Sequence, residues 1–187
     1  MREYCSKCQR LIQSCFCKLI VPLDNIKHVI ILQHPSEESH ILGTAKIAEL
    51  TLSRVSVFKG EIFSQNKELQ ERLNTSKPAL FRPNSQSFVY EEKKELFDTL
   101  IFLDGTWKKA NKIYFLNPFL QKIPNVSFKE TSISKYRLRK EPKESYLSTF
   151  EAILKACEAD HSQNLDKHLA PLEFIQRFQE SYFKREI

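Results

Sequence analysis

Apolar residues fall into short stretches bounded by turn residues, and these stretches alternate with segments of helical character. The short stretches predict strands at residues 28–33, 55–58, 78–83, 99–103 and 125–129. Good helix formers or apolar side chains at three- and four-residue spacings predict helices at 43–50, 67–73, 107–115, from 148 onward and at 165–183. This strand–helix alternation predicts an α/β domain built on a parallel sheet.

The stretch at residues 99–103 ends abruptly at Asp104, Gly105, Thr106 and Trp107. Its continuous apolar character is typical of a strand covered on both faces. Ligands of open α/β sheets bind at the carboxyl ends of the strands, so Asp104 occupies a position that favours chemistry. Thr106 is expected to cap a helix whose free N–H groups face the same crevice. On local grounds alone, an ordinary turn followed by a helix cap explains these residues equally well.

Composition narrows the class of protein. The 187 residues suffice for one main domain with a small appendage, and 29 Lys+Arg against 23 Asp+Glu give a net charge of +6. This bias suits a polyanionic partner such as nucleic acid. No run of eighteen apolar residues occurs, and residues 1–5 lack the apolar core of a signal peptide, so we expect a cytoplasmic protein that does not bind a membrane. No obligate protein partner is evident.

Four of the five cysteines lie within thirteen residues, as Cys5, Cys8, Cys15 and Cys17. In a reducing compartment such a cluster favours metal binding over disulfides, and four thiolates match a closed structural zinc site. An iron–sulfur cluster and unligated thiols are the alternatives. We therefore predict a zinc knuckle at residues 1–22, followed by an α/β catalytic domain at residues 23–187. Cys157 is expected to be a small buried hydrophobic residue.

Five motifs occur in an order that resembles one known family. They are the four-cysteine knuckle, Gln33-His34-Pro35 followed by Leu42-Gly43-Thr44-Ala45, Asp104-Gly105-Thr106-Trp107, residues 136–142 (YRLRKEP), and Leu147-Ser148-Thr149 followed by Glu151-Ala152. On these residues the chain resembles the DTW-domain family of tRNA-uridine aminocarboxypropyltransferases. At Arg82-Pro83 the chain departs from the family pattern, so no function is carried over to that loop.

The resemblance implies a SPOUT-like α/β sheet with a knot-type site for S-adenosylmethionine. It also implies transfer of the 3-amino-3-carboxypropyl group of S-adenosylmethionine to N3 of a uridine in tRNA, which leaves 5′-methylthioadenosine. Two rival functions stay open. One is a SPOUT-like RNA methyltransferase that uses the same donor, and the other is a non-catalytic zinc-containing RNA-binding module.

Set against this reaction, the residues receive the following expected roles. Asp104 is the candidate catalytic base for the uracil N3 proton, and its alternative role is to bind the ribose hydroxyls or the ammonium group of the donor. Expected to bind S-adenosylmethionine are Thr106, Trp107, Tyr136, Leu138, Ser148 and Thr149. Expected to bind RNA are Arg137, Arg139, Lys140 and His34.

The alternatives to these roles are structural. Helix capping is favoured for the hydroxyls of Ser148 and Thr149, and Thr44 is expected to cap its own helix. Trp107 is about equally well explained as a core residue. His34 is slightly better explained as a structural histidine. For residues 136–142 a solvated basic loop is the alternative, and the binding role is favoured over it.

Overall fold

A computed structural model describes residues 3–38, 43–129 and 147–183 of the protein. Its strands are β1 (His28–Gln33), β2 (Val55–Lys59), β3 (Pro78–Phe81), β4 (Phe88–Val89), β5 (Thr99–Asp104) and β6 (Asn125–Ser127). Its α-helices are α1 (Ala45–Thr51), α2 (Lys67–Asn74), α3 (Tyr90–Lys93), α4 (Trp107–Leu116), α5 (Thr149–His161) and α6 (Ala170–Phe183). The predicted α/β class is confirmed.

The six strands form one sheet in the order β2-β1-β5-β3-β6-β4, and every pair is parallel. The neighbouring interior strands β1 and β5 pair over their whole length, so that Gln33 lies beside Asp104 at their carboxyl ends. Both strands are almost wholly buried, as expected for strands covered on both faces of a parallel sheet.

Two apolar clusters lie on opposite faces of the sheet, because successive side chains of a strand point to opposite sides. Ile31 and Phe102 pack in one cluster with side chains of α1, α5 and α6. Ile30 and Ile101 pack in the other cluster with α2 and α4. The sheet is therefore the middle layer of three.

Several elements differ from the sequence-based expectation. The strand β3 ends at Phe81 instead of residue 83, and the short pair β4 and α3 was not predicted. The last helix does not begin at residue 165: Asp166–Leu169 form a 3-10 turn, and α6 begins at Ala170. Pro171 accounts for this boundary, because proline lacks the N–H that an interior helical position must donate and is tolerated only in the first turn.

Residues 3–22 pack against the first apolar cluster instead of standing apart from it. Phe16 is fully buried within that cluster, and Cys8 is buried there as well. The ring of His168 hydrogen bonds through Nδ1 to the carbonyl oxygen of Val21 at 3.0 Å. Leu23 donates its N–H to the carbonyl oxygen of Thr51 at the end of α1. The division into a knuckle at 1–22 and a catalytic domain at 23–187 stays a prediction.

A buried ion pair ties the sheet to α5 at the end of the strands opposite Asp104. Lys27 precedes β1 and lies 2.8 Å from a carboxylate oxygen of Asp160. The hydroxyl of Tyr90 joins the two groups, since it accepts from Lys27 and donates to Asp160. Burial, followed by the negative charge of Asp160, raises the pKa of Tyr90 well above its usual value, so this hydroxyl keeps its proton.

The knot-type threading expected for the carboxy-terminal part stays a prediction, because residues 130–146, which join β6 to α5, lie outside the described ranges. In those ranges, no helix has both the length and the apolar character that crossing a bilayer requires.

Candidate active site and cysteine cluster

Asp104 lies at the switch point of the sheet, where the connections between strands begin to run to the other side. The chain leaves β1 toward β2 on one side of the sheet, and it leaves β5 toward β6 on the other side. In open α/β sheets, connections that diverge in this way leave a crevice between the carboxyl ends of the two strands. This is the position in which open α/β sheets bind their ligands, and Asp104 is the last residue of β5.

The Asp104 carboxylate is buried and held by two donors. Only 2% of the residue is exposed. The side-chain amide of Gln33 donates to Oδ2 at 2.8 Å, and the hydroxyl of Thr149 donates to Oδ1 at 2.6 Å. The end of β1, the end of β5 and the start of α5 therefore meet at one carboxylate, which satisfies the requirement that a buried charge be hydrogen bonded.

The N-terminus of α5 is closed by side chains from two parts of the chain. Ser148 and Glu151 form a capping box, as expected, in which each side chain bonds to the other residue's backbone N–H. The expected capping role of Thr149 is wrong, because its hydroxyl donates its hydrogen bond to the carboxylate of Asp104. Thr44 occupies the N-cap position of α1 as expected, but its hydroxyl makes no capping hydrogen bond there and instead accepts from the N–H of Phe150 in α5 at 3.3 Å.

The turn from β5 to α4 is tight. A Cβ atom on Gly105 would lie 3.0 Å from Cβ of Lys109 and 3.5 Å from Cβ of His34, closer to Lys109 than real Cβ atoms comfortably approach. Thr106 occupies the N-cap position of α4, but its side chain makes no capping hydrogen bond. Trp107 is 39% exposed, so the expected alternative of a plain core tryptophan does not hold.

Ion pairs hold the loop after β1 against α4. Lys109 bonds at 2.7 Å to Glu37, whose side chain is nearly buried. Glu61 bonds to both Lys112 and His34, each at 2.7 Å. The hydrogen bond from Lys112, with a smaller contribution from His34, lowers the pKa of Glu61 below its usual value and keeps it ionised.

Both ring nitrogens of His34 are engaged within the protein. Nδ1 accepts from the backbone N–H of Ser36, and Nε2 contacts Glu61. This arrangement matches the structural role weighed for His34. The expected contact between His34 and RNA stays a prediction.

The four cysteines of the N-terminal segment converge. Their Sγ atoms all lie within 4.8 Å of one another, with 3.7 Å between Cys5 and Cys17 and 3.8 Å between Cys8 and Cys15. Zinc–sulfur bonds of about 2.3 Å place the sulfurs of a tetrahedral site about 3.8 Å apart. The backbone N–H groups of Cys8 and Lys7 lower the pKa of the Cys5 thiol to about 6, whereas burial raises the pKa of the Cys17 thiol to about 12, so the geometry of the four sulfurs, rather than a shared pKa shift, indicates a metal site. This group has the geometry to hold a metal ion.

A chain of contacts connects the cysteine cluster with Asp104. Arg10, between Cys8 and Cys15, donates to the carbonyl oxygen of Gly43 at 3.2 Å. Its neighbour Thr44 contacts Phe150, which follows the Thr149 that binds Asp104. The N-terminal segment thus contacts the residues that precede α1, and one of these residues hydrogen bonds to the first turn of α5.

Sequence reasoning assigned no role to Gln33 and only a capping role to Thr44, although both stand in quoted motifs, and the structure brings both to the Asp104 region. The motif positions were the available signal. Conversely, Tyr136, Arg137, Leu138, Arg139 and Lys140 lie outside the described residues. Their expected contacts with S-adenosylmethionine and RNA stay predictions.

The fold and the site define a parallel α/β protein whose buried carboxylate lies at the switch point of the sheet. A family model described as the DTW domain matches residues 2–181, so the chain belongs to the DTW-domain family. This match includes the cysteine cluster as well as the sheet.

Two relatives carry an informative name. The chain is 34% identical over 159 residues to the Drosophila melanogaster protein named tRNA-uridine aminocarboxypropyltransferase 2, covering 80% of this chain and 63% of the relative. It is 30% identical over 190 aligned positions to the Mus musculus protein of the same name, covering 95% of this chain and 64% of the relative. The chain thus spans slightly less than two thirds of the length of these relatives. No solved structure matches the chain.

Proposed function

We propose that the protein transfers the 3-amino-3-carboxypropyl group of S-adenosylmethionine to N3 of a uridine in tRNA. The observation that carries the proposal is the Asp104 carboxylate, buried at the switch point between Gln33 and Thr149. Membership of the DTW-domain family and the names of the relatives support it.

The reaction needs little from the protein beyond position and a proton acceptor. The sulfonium of the donor already activates the γ-carbon of its methionine portion, which must lie in line with the incoming nitrogen. As the N–C bond forms and the C–S bond breaks, the uracil N3 loses its proton and 5′-methylthioadenosine departs with the bonding pair. We assign the proton to Asp104, because a general base must lie within hydrogen-bond reach of N3.

The alternative assignment gives Asp104 the ribose hydroxyls or the ammonium group of the donor. The two oxygens of Asp104 are already fixed by Gln33 and Thr149, so either ligand would meet a carboxylate of defined orientation. Thr106 and Trp107 follow Asp104 in the chain, and Ser148 and Thr149 lie at the start of α5, which bonds to Asp104; these four remain our candidates for contacts with the donor. A variant that separates donor affinity from rate distinguishes the two roles.

We further propose that Cys5, Cys8, Cys15 and Cys17 hold one structural zinc ion. A single ion fits sulfurs that all lie within 4.8 Å of one another. In an iron–sulfur cluster the thiolates bind different iron atoms and stand farther apart. Four thiolates leave no coordination position open, so we assign the zinc no step in transfer. The cytoplasm, which the sequence predicts, would keep these thiols reduced.

The test is mass spectrometry of nucleosides from tRNA incubated with the protein and S-adenosylmethionine. A uridine heavier by one aminocarboxypropyl group, formed together with methylthioadenosine, is the expected result. A methylated nucleoside would establish the rival methyltransferase. Binding of tRNA without any change in nucleoside mass, across tRNA pools from several sources, would favour the non-catalytic RNA-binding module.

Binding of tRNA provides a second test. If phosphates are the main contacts, affinity should fall steeply as salt concentration rises. Alanine in place of Arg137, Arg139 and Lys140 together should weaken binding and reduce the salt dependence. Unchanged affinity at every salt concentration would make that segment a solvated basic loop.

A further inference from the structure

Exposed aromatic and cationic side chains follow one side of α4, starting three residues after Asp104. Phe115 is 64% exposed, two turns along the helix from the half-exposed Trp107. Side chains four residues apart lie over one another on a helix, so 107, 111 and 115 form one row and 108 and 112 the adjoining row. Lys108 is exposed and forms no ion pair within the part of the chain that the structure describes.

The loop after β3 adds an arginine to this surface. Arg82 stacks on the ring of Tyr114, with 4.0 Å between the guanidinium carbon and the ring centroid. Its Nη2 also donates to the side chain of Asn111 at 3.3 Å. Because β3 is adjacent to β5 and parallel to it, this loop begins at the same carboxyl end of the strands as Asp104. We call Arg82, Lys108, Tyr114 and Phe115 the α4 strip.

The charge of this region has one sign. Residues 105–129 contain five lysines and no aspartate or glutamate, and residues 78–90 contain Arg82 and no acidic residue. These two stretches together carry +6, as much as the net charge of the whole chain. Glu37 and Glu61 neutralise Lys109 and Lys112. Arg82 lies against the ring of Tyr114 and Lys108 follows Trp107 in the chain, and neither forms an ion pair with another described residue. A polyanion is the partner that this charge fits.

Stacking and charge together indicate single-stranded RNA. Unpaired bases stack on aromatic rings and on arginine planes, whereas paired bases present only their edges and phosphates. N3 of uridine lies on the pairing edge of the base, so a uridine modified there must be unpaired when it reaches the site. We propose that the α4 strip docks the unpaired nucleotides that adjoin this uridine, an inference that rests on the proposed function.

The test compares three labelled RNAs by fluorescence anisotropy: tRNA, a twelve-nucleotide oligouridine and a duplex of similar length. Phe115→Ala and Arg82→Lys remove a ring and a stacking plane, and the lysine keeps the charge. We expect each to weaken oligouridine binding by about fivefold to a hundredfold, the range for one stacked base, with duplex binding nearly unchanged. Lys108→Ala should reduce the slope of log affinity against log salt by about 1.

Matched controls lie at the opposite end of the strands, where β3 and β5 begin. Lys77 precedes β3 and is exposed, and Leu96 is 59% exposed shortly before β5. Lys77→Ala and Leu96→Ala should leave all three affinities unchanged. Lys108 and Phe115 are exposed, and Arg82→Lys keeps a cation at a half-buried position, so these variants should fold. Thermal unfolding checks this.

The outcomes separate the two proposals. Strip variants that bind oligouridine as tightly as the wild type, or that lose duplex binding equally, would overturn the docking surface even if transfer to tRNA is observed. Strip-dependent binding of oligouridine would support the surface even if mass spectrometry detects no modified uridine, in which case the transferase assignment alone would fail.

Discussion

The hydroxyl of Thr149 donates a 2.6 Å hydrogen bond to the carboxylate of Asp104, which lies 45 residues earlier in the chain. This bond fixes the first residue of α5 to the last residue of the central strand. Asp104 is therefore part of the fold as well as of the candidate active site. Substitutions in this region must be designed so that stability and activity are measured separately.

We expect Asp104→Asn to fold and to lose most transfer activity. The Gln33 amide can turn over and accept from the new Asn amide, while Thr149 still donates to the remaining oxygen. Loss of a positioned base lowers the rate by about 10²–10⁴-fold. Single-turnover formation of methylthioadenosine measures the rate, and calorimetry measures donor affinity. A rate loss explained wholly by weaker donor binding would make Asp104 a donor ligand, and a wild-type rate would refute both roles.

Thr149→Val should reduce both stability and activity, whereas Thr149→Ser should preserve them. Valine has nearly the shape of threonine but leaves one oxygen of a buried carboxylate without its donor, at a cost of about 1–3 kcal/mol. Serine keeps the hydroxyl and serves as the matched control. Urea unfolding and single-turnover rates are the measurements. Equal behaviour of the valine and serine variants would show that the hydrogen bond contributes nothing.

The protein purified without chelator should contain one zinc ion per chain, measured by elemental analysis. Cys8→Ser should abolish binding and increase amide hydrogen exchange in residues 3–22 more than in the central strands, because the segment has little apolar core of its own apart from Phe16. Cys157→Ser is the control, since Cys157 lies on α5 and is not one of the four thiols that converge. Absence of zinc, or an iron–sulfur chromophore, would refute the assignment.

Stability should fall as pH decreases below about 6.5. Burial lowers the pKa of His168 and of His28 in the folded protein, so between the folded and unfolded pKa values the unfolded chain binds more protons. The contribution of these histidines is therefore complete above the unfolded pKa and is lost as pH falls through the folded pKa.

His168→Asn tests the contribution of one of these histidines. Asparagine can still donate to Val21 but cannot be protonated, so this variant should show a smaller loss of stability on acidification. Urea unfolding at pH 7.5 and pH 5.5 provides the comparison, since these values lie on either side of the ordinary histidine pKa of about 6.5. An identical pH dependence in variant and wild type would exclude His168 as a cause.

Asp160→Asn should destabilise the protein without impairing transfer. It leaves Lys27 buried beside Tyr90 with no counter-charge, and removing one partner of a buried pair costs about 3–5 kcal/mol. The exposed pair of Lys46 and Glu49 is the control, where Glu49→Gln should cost at most about 1 kcal/mol. Transfer below the unfolding temperature should persist, since this pair lies at the opposite end of the strands from Asp104.

The sequence predicted the elements with a strong local signal. The apolar runs of β1 and β5 and the capping box of Ser148 and Glu151 are properties of neighbouring residues, and the structure confirms them. The two-residue strand β4 has too few residues to show a period. The 3-10 turn before Ala170 was not predicted, because the apolar spacing continues through residues 165–169 and only Pro171 indicates the later start of the helix.

The side-chain partners of Asp104 were harder to predict. Gln33 and Thr149 contact Asp104 only because β1 pairs with β5 and because α5 begins near the carboxyl ends of these strands. That pairing depends on tertiary contacts, which periodicity does not encode. For the same reason Thr44 was assigned to its own helix, when the N–H group that it accepts from belongs to Phe150, 106 residues away.

The strand order also bears on how the chain is made. β5 inserts between β1 and β3, although both of those strands are synthesised first. Until residue 104 leaves the ribosome, β1 and β3 each expose an unpaired edge, and such edges favour association with other chains. Distant parallel pairings also form slowly, because their loops must close first. The segment that brings Asp104 is thus also the one that ends this vulnerable period, so substitutions in β5 should affect yield during expression before they affect catalysis.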